Sequence, residues 1–496
     1  MNKFRDVSER ADKGSADLGR KTVRGAAWVF SLQMVNRAFQ LAKTVALARL
    51  LAPQDFGLFG TALLTLSILD AVSQPGFWQA LIQKKVDVRP YLNTVWTVGV
   101  IRSILIAATL YGASPLVAGF FNVPAAVPIF RIIGLSIVFQ NLINIGVIFF
   151  EKDLEFHKYF FFQLAGTAGD MVISISAALL LRSVWALVLG RLAGNIVSCI
   201  VSYAVQPWRP RWSLNMAQSK ELFRFGRWIL GSNVMIFFTS NGDNLFVSKF
   251  LGAASLGFYQ MAYTVSSTVA SEITRPISTV MFPAYSILQE DLPRLREVYM
   301  RVLRLTAFLV FFTAGLIFAA APNLTLTVLG GKWKPVIPLV MILVFRAISG
   351  SLRGTLGALT KAIGHPEFET RVTFLQLLLL ALLIYPAGKL WGLKGVAILV
   401  VFQTLATLPV ALRLILPQIG MRPFDFLKVA GIPFSISCFM TAVVYGVQSR
   451  LPFNLLTLAL EGSLGFLIYF GLTRVFHRRL FQDFAYIKNR VWKGTP

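Results

Sequence analysis

Charged residues inside long apolar stretches are the part of this sequence that could do chemistry. The cations in such stretches include Arg37, Lys43, Arg275, Arg346 and Arg353. The acids there are few, namely Asp70, Asp170, Asp243, Glu272 and Glu461. A basic excess in apolar surroundings indicates an anionic ligand, because a guanidinium group matches phosphate oxygens in bidentate geometry.

Polar residues recur at helical spacing along these stretches. In the first stretch the pattern at i, i+4, i+7 and i+11 is Gln33, Arg37, Gln40 and Thr44. A similar stripe through residues 260–278 contains Tyr263, Ser267 and Arg275. An ionisable group in a membrane helix costs about 2.5–3.5 kcal/mol on insertion scales, so each stripe should face protein or water. The pattern predicts a water-filled cavity lined by positive charge.

Two interpretations of the polar stripes stay open from the residues alone. The polar groups could bond helices to one another, or they could contact a substrate. The residues that we predict to bind substrate are Arg37, Arg275, Lys43, Gln33, Gln40, Arg346 and Arg353. The acids that we predict to form ion pairs or to bind a coupling cation are Asp70, Asp170, Asp243 and Glu272.

The composition is typical of a membrane protein. Of the 496 residues, 56% are hydrophobic and 14% charged, with a mean hydropathy of +0.66. A soluble chain carries about 25% charged residues. Apolar runs long enough to span about 30 Å of hydrocarbon recur about fourteen times. We therefore predict an all-α polytopic membrane protein with about fourteen transmembrane helices.

The net charge is +26, and the basic residues responsible for it are distributed as the predicted topology requires. Lys and Arg concentrate in the segments that lie inside if the N-terminus is cytoplasmic, which is the positive-inside pattern. Because no basic and aromatic domain stands outside the apolar runs, the charge does not indicate a nucleic-acid partner.

An internal repeat links the two halves of the chain. Residues 49–59 match residues 249–259, as Arg49-Leu50-Leu51-Ala52 aligns with Lys249-Phe250-Leu251-Gly252. Such duplications are common in transporters. The limits that we predict are 1–24 for a cytoplasmic tail, 25–205 for an N-lobe of helices 1 to 6, 206–224 for a cytoplasmic linker, 225–416 for a C-lobe of helices 7 to 12, 417–473 for helices 13 and 14, and 474–496 for a cytoplasmic amphipathic tail.

Enzymatic motifs are missing from the sequence. It has no P-loop and no Ser/His/Asp arrangement, and its three histidines all fall in predicted loops or in the tail. Its two cysteines, Cys199 and Cys438, lie in apolar runs and are interpreted as packing residues. We predict neither an enzyme nor a cofactor.

Several short motifs resemble a known family in their order and spacing. They are Asp243-Asn244-Leu245, Leu256-Gly257, Ala262-Tyr263, Phe282-Pro283, Leu329-Gly330-Gly331-Lys332-Trp333 and Ala362-Ile363-Gly364-His365-Pro366. Together they resemble the polysaccharide-exporter branch of the multidrug/oligosaccharidyl-lipid/polysaccharide (MOP) superfamily, the Wzx-type lipid-linked oligosaccharide flippases. The resemblance covers nearly the whole chain and is nearest to exporters of the colanic-acid type.

The resemblance implies two repeated six-helix lobes, as in multidrug (MATE) transporters, with two extra C-terminal helices and alternating access. It implies an undecaprenyl-pyrophosphate-linked sugar repeat unit as cargo, moved across the bacterial inner membrane by a chain with cytoplasmic termini. Cationic residues on the first and eighth helices hold pyrophosphate in related flippases, and Arg37 and Arg275 lie on the matching spans. Cavity acids couple cations in the multidrug branch, and the resemblance offers Asp70 and Asp170 as candidate counterparts, although the motifs around them do not match. Membrane lipid, a coupling H⁺ or Na⁺ and a polysaccharide polymerase are candidate partners.

Two other functions remain as alternatives. An acidic cavity without the arginine excess would favour cation-coupled multidrug efflux. The third function is a scaffold or a polymerase-like enzyme of polysaccharide synthesis. A large external loop with paired basic residues would favour a polymerase, and the sequence lacks such a loop.

Overall fold

The computed structural model describes residues 34–74, 88–152 and 155–476, together with Ser31, Phe77 and Leu480. Inside its helices the side chains of 151–152, 156, 217–219, 221–230, 232, 268–276 and 278–280 are outside the description. The chain divides into two compact units, Met1–Phe237 and Phe238–Pro496. The predicted limits of the lobes, the linker and the tails stay predictions.

The first unit is built from long helices joined by short turns. Its helices are α1 (residues 34–50), α2 (Pro53–Ser73), α3 (Arg89–Phe120), α4 (Val127–Leu142), α5 (Phe156–Leu181) and α6 (Trp185–Val205). Proline stands in the first turn of α2, α3 and α4, where its missing N–H has no helical partner to lose. The helix α7 (Met216–Phe246) runs through the division between the units.

The second unit contains the remaining long helices. They are α8 (Ala253–Ile287), α9 (Leu292–Leu324), α10 (Val336–Ala362), α11 (Glu367–Ile415), α12 (Pro423–Gln448) and α13 (Leu455–Phe476). Its largest buried cluster joins α8 to α12 through side chains such as Tyr285, Tyr299, Leu356 and Ile415. At the start of α9, the Asp291 side chain accepts a hydrogen bond from the backbone N–H of Arg294, which caps the helix.

The helix α11 contains a break in its middle. Gly392 has a φ of 56°, a left-handed value that glycine adopts without steric cost, and the backbone kinks there. The 49 residues of α11 therefore form two helical segments rather than one straight rod.

The described residues confirm an all-α, multi-pass membrane protein. They contain no strand, and ten of their helices are long and apolar enough to cross a membrane. The predicted number of about fourteen transmembrane helices stays a prediction.

The sequence repeat has a structural counterpart at its two copies. Leu51 and Ala52 separate α1 from α2, and Gly252 separates α8 from the π-helical turn Val247–Leu251 that follows α7. The two breaks differ in their backbone, because Ala52 has a φ of −84° and Gly252 a φ of 85°. Both copies therefore end one helix and start the next, with glycine where the turn is left-handed.

Candidate functional site

Arg346 and Arg353 lie on the same face of α10, because residues seven apart are separated by two helical turns. Both line a cavity of about 150 Å³ within the second unit. Its other walls include Tyr263 on α8 and Gln376 and Gln403 on α11. We call this space the arginine cavity. The structure thus brings together two of the predicted substrate-binding cations.

The Arg346 guanidinium lies over an aromatic ring. Its central carbon is 4.5 Å from the ring centroid of Tyr263, within the range of a cation–π contact. Within the described residues Arg346 forms no ion pair. The ring therefore orients the guanidinium without neutralising its charge.

Arg353 forms a long ion pair with a carboxylate that the sequence prediction did not include. Its Nη2 atom is 3.4 Å from Oε1 of Glu369 on α11. Arg353 Nη1 and Glu369 Oε2 are both buried and have no hydrogen-bond partner among the described residues. Buried polar groups are normally satisfied by protein or water, so this pair retains donor and acceptor capacity for a ligand.

Buried amides complete the arginine cavity. Gln376 Nε2 donates to Thr407 Oγ1 at 2.9 Å, and the Thr407 hydroxyl donates to the backbone carbonyl oxygen of Gln403 at 2.8 Å. Gln403 is 4% exposed, and its Oε1 has no partner among the described residues. Two arginine and two glutamine side chains thus line the cavity, a set that can bind an anion that also carries hydroxyl groups.

Asp243 is held by three hydrogen bonds near the end of α7. The Tyr259 hydroxyl donates to Oδ2 at 2.8 Å, while the backbone N–H and side-chain amide of Asn244 donate to Oδ1 at 2.8 and 3.1 Å. The Asp243 residue is 3% exposed, and Arg346 acts on it electrostatically. Its two predicted roles, an ion pair with a cavity cation or a coupling-cation site, stay predictions.

Lys43 and Asp170 are paired within the first unit. The Lys43 ammonium on α1 is 2.7 Å from both carboxylate oxygens of Asp170 on α5, and the Ser174 hydroxyl donates to Oδ1 at 3.1 Å. A predicted substrate-binding cation and a predicted coupling acid thus meet each other.

Asp70 is paired with a cation that sequence reasoning did not single out. Arg102 Nη1 on α3 lies 2.8 Å from Asp70 Oδ1 and donates to the Ser73 hydroxyl at 3.1 Å. Asp70 and Arg102 are each a single charge in an apolar run, and this isolation is the feature of the sequence that could have drawn attention to Arg102. Their contact joins residues 32 apart on two helices, and no spacing rule predicts it.

A second cavity, of about 340 Å³, lies within the first unit beside Arg102. Aromatic side chains, including Trp96 and Tyr159, form part of its wall, and amides such as Asn141 and Gln163 form another part. Gln163 Nε2 donates to the Tyr159 hydroxyl at 3.1 Å, which fixes that amide. This mixed lining suits a neutral polar ligand better than an anion.

The five remaining predicted site residues are Gln33, Arg37, Gln40, Glu272 and Arg275. Arg37 is partly buried and Gln40 is exposed, both on α1. Gln33 lies outside the described residues, and so do the side chains of Glu272 and Arg275, whose backbone belongs to α8. The predicted roles of these five residues stay predictions.

The fold and the arginine cavity define a multi-pass helical membrane protein with a positively charged polar site inside one unit. The family model described as polysaccharide biosynthesis protein matches residues 46–338, more than half of the chain. The chain therefore belongs to the polysaccharide biosynthesis protein family, which confirms the predicted resemblance to the polysaccharide exporters of the MOP superfamily.

Two curated relatives cover most of the chain. The lipopolysaccharide biosynthesis protein WzxC of Escherichia coli K12 is 23% identical over 436 residues, which are 87% of this chain and 88% of the relative. The teichuronic acid biosynthesis protein TuaB of Bacillus subtilis 168 is 22% identical over 432 residues, with 86% and 89% covered.

Solved structures share the fold at low sequence identity. The lipid II flippase MurJ in an inward closed conformation superposes with a TM-score of 0.75 at 15% identity, covering 91% of this chain and 99% of MurJ. An inward-facing multidrug resistance MATE transporter of the MOP superfamily superposes with a TM-score of 0.60 at 15% identity, covering 82% and 98%. These likenesses establish the MurJ- and MATE-like fold of the chain.

Proposed function

We propose that this protein is a flippase of the bacterial inner membrane, with both termini in the cytoplasm. Its cargo is an undecaprenyl-pyrophosphate-linked oligosaccharide repeat unit, which it moves from the cytoplasmic to the periplasmic leaflet for exopolysaccharide or lipopolysaccharide biosynthesis. Membership of the polysaccharide biosynthesis family and the likeness to WzxC support this proposal. The proposal includes no enzymatic step, and it includes membrane lipid and a polysaccharide polymerase as partners.

The arginine cavity is the observation that carries the proposal. Arg346 has no ion-pair partner among the described residues, and Arg353 Nη1 has no hydrogen-bond partner there. Guanidinium groups recognise phosphate oxygens with paired N–H donors, so two of them on one helix face suit a pyrophosphate. Amide and hydroxyl groups in the same wall suit the attached sugar.

The membrane potential favours this direction of transport. An anion that moves from a negative cytoplasm to the outside gains about 2.3 kcal/mol per charge per 100 mV. A cationic cavity lowers the cost of taking that anion through the low-dielectric interior. Alternating access would then deliver the head group without exposing it to lipid.

A deletion strain tests the proposal. Without the protein, lipid-linked repeat units should accumulate facing the cytoplasm, where an impermeant sugar-modifying enzyme added to spheroplasts cannot reach them. The wild-type gene should restore access from outside, whereas the double variant Arg346→Gln/Arg353→Gln should not. Arg413→Gln changes an exposed arginine and serves as the matched control. Normal access in the deletion strain would refute the flippase assignment.

Multidrug efflux is the alternative that the same fold allows. In that function, Asp70 and Asp170 would bind the coupling cation. In the first unit both carboxylates already contact a basic side chain, Arg102 and Lys43 respectively. The alternative predicts increased drug sensitivity of the deletion strain with unchanged repeat-unit topology.

A further inference from the structure

Glu461 is a fully buried carboxyl group that the proposed cargo site does not use. It lies on α13 with 0% of its surface exposed. Its Oε1 accepts one hydrogen bond, at 2.8 Å, from the side-chain amide of Asn323 on α9. Its Oε2 is buried and has no partner among the described residues.

The neighbours of Glu461 fix which group donates to it. Asn323 is also 0% exposed, and its Oδ1 accepts from the Thr327 hydroxyl at 2.6 Å. The Asn323 amide nitrogen is therefore the atom that faces Glu461. We call Asn323, Thr327 and Glu461 the Glu461 cluster.

Among the described residues, no basic side chain forms an ion pair with Glu461 from the helices that pack against α13. These helices are α9 and α12. Residues 305–324 of α9 and 429–448 of α12 carry no charged side chain. The titratable groups on these segments and on α13 are Cys438, Tyr445, Tyr469 and, at the far end of α13, Arg474. Tyr469 donates its hydroxyl to the backbone oxygen of Phe308 at 2.9 Å, so it is not a partner of Glu461.

An ionised carboxylate in these surroundings would be a buried charge with one neutral donor. Such a charge costs several kcal/mol, and proteins avoid it by neutralising the group or by admitting a cation. Within the described residues no other oxygen is hydrogen-bonded to the Glu461 carboxyl group, so a cation would lack ligands there, whereas a proton needs only the lone pair on Oε2. The neutral, protonated acid therefore fits the described conformation.

The cluster also lies where the backbone of α9 changes. Directly after Asn323 and Leu324, residues Thr325–Leu329 form a π-helical turn, and Gly330 follows with a φ of 104°. Irregular turns of this kind are frequent at functional sites. If Oε2 lost its proton, the contact between α9 and α13 would have to open to water or to a cation. The protonated acid therefore fits the closed contact between α9 and α13, and the ionised acid fits an opened one.

We propose that Glu461 is a proton-binding site, at which a proton bonded to Oε2 is taken up and released during each transport cycle. This inference deepens the proposed function, because it supplies the coupling ion of the flippase. Glu461 lies six residues, about 9 Å, into α13, after the loop 449–454 that the predicted topology places outside. The proton would accordingly enter from the periplasm while cargo leaves the cytoplasm.

Infrared difference spectroscopy of the purified full-length protein tests the site without any cargo. In the wild type, raising the pH should remove one protonated-carboxyl C=O band that is absent from Glu461→Gln. In Asn323→Leu the same band should move to higher frequency, because the carbonyl has lost its hydrogen-bond donor. Thr473→Val removes a buried, hydrogen-bonded hydroxyl from the same helix and should leave the band unchanged.

Three results would overturn the proton site. The Glu461 band could persist at every pH, which would make the acid a fixed neutral group. It could be missing at every pH, which would make it permanently ionised. It could respond to NaCl but not to pH, with choline chloride inactive, which would identify a Na⁺ site.

A transport assay separates this inference from the proposed function. Proteoliposomes would carry fluorescently labelled undecaprenyl-pyrophosphate oligosaccharide, and flipping would be followed by an impermeant quencher. An imposed pH gradient should accelerate flipping by the wild type and by Thr473→Val, but not by Glu461→Gln. Equal acceleration in Glu461→Gln would refute coupling at this residue. No flipping by any protein, with a titrating Glu461 band, would instead count against the flippase.

Discussion

The ammonium of Lys43 lies 2.7 Å from both carboxylate oxygens of Asp170, and this contact joins α1 to α5. The two side chains are 18% and 25% exposed, so the pair is largely withdrawn from water. Lys43, which we predicted to bind substrate, is therefore neutralised by Asp170, which we predicted to form an ion pair or to bind a coupling cation. We infer that this pair fixes the packing of the first unit.

Breaking the pair should destabilise the first unit. Lys43→Met leaves the Asp170 carboxylate without its cation, and we expect a loss of about 1–3 kcal/mol, between the values for exposed and fully buried pairs. The double variant Lys43→Met/Asp170→Asn should recover part of that loss, because it removes the uncompensated charge. Thermal unfolding in detergent measures both effects.

An exposed ion pair provides the control for that measurement. Lys158 lies 2.8 Å from Glu155, with side chains 41% and 40% exposed. Lys158→Met should therefore change the unfolding temperature very little. If Lys43→Met proved equally mild, the structural role of the Lys43–Asp170 pair would be wrong.

Arg346 should be needed for transport through its charge and its planar shape. Arg346→Gln removes one of the two guanidinium charges in the arginine cavity, and we expect flipping to fall at least about tenfold, equivalent to about 1.4 kcal/mol in the barrier. Arg346→Lys should restore only part of the rate, because an ammonium group lacks the paired donors and planar stacking of guanidinium. The proteoliposome assay measures these rates, with Arg413→Gln expected at wild-type level. Wild-type flipping in Arg346→Gln would exclude this residue from the cargo site.

The Tyr259 hydroxyl should stabilise the buried Asp243 carboxyl. Tyr259→Phe removes a donor at 2.8 Å from a residue that is 3% exposed, and we expect a loss of about 1–3 kcal/mol. Tyr285→Phe is the matched control, since the Tyr285 hydroxyl is buried without a partner among the described residues. That variant should be neutral or slightly stabilising. Equal unfolding temperatures for the two variants would contradict the role of the Tyr259 hydrogen bond.

Gly190 should tolerate no side chain where α6 crosses α5. A methyl group there would lie 2.8 Å from both the Ser174 Cβ and the Asp170 Oδ1, closer than van der Waals contact allows. Gly190→Ala should therefore cost about 1–3 kcal/mol through overpacking, which a shift in unfolding temperature would reveal. Gly112→Ala, with nothing within 4 Å of the added carbon, should not destabilise.

The fold class was predictable because the membrane restricts what a chain can do. Backbone groups in hydrocarbon must be bonded within their own segment, so long apolar runs have to become helices. The repeat was visible because residues 49–59 and 249–259 have matching residue types, and the structure adds that each copy contains a helix break. Arg346 and Arg353 are seven residues apart, and this spacing by itself places them on one face of a helix.

The partners of the charged residues could not be predicted from spacing. Arg102, Glu369 and Asn323 contact Asp70, Arg353 and Glu461 from other helices, up to 138 residues away. Helical periodicity gives the face on which a side chain lies, but not the helix that this face meets.

By itself the sequence determined that the chain is helical, spans the membrane many times and carries a basic excess that suits an anion. Only the tertiary structure decided that Lys43 is neutralised by Asp170 while Arg346 keeps its charge beside Tyr263. The physical reason is that electrostatic energy depends on distance and burial, and both are set by how helices pack.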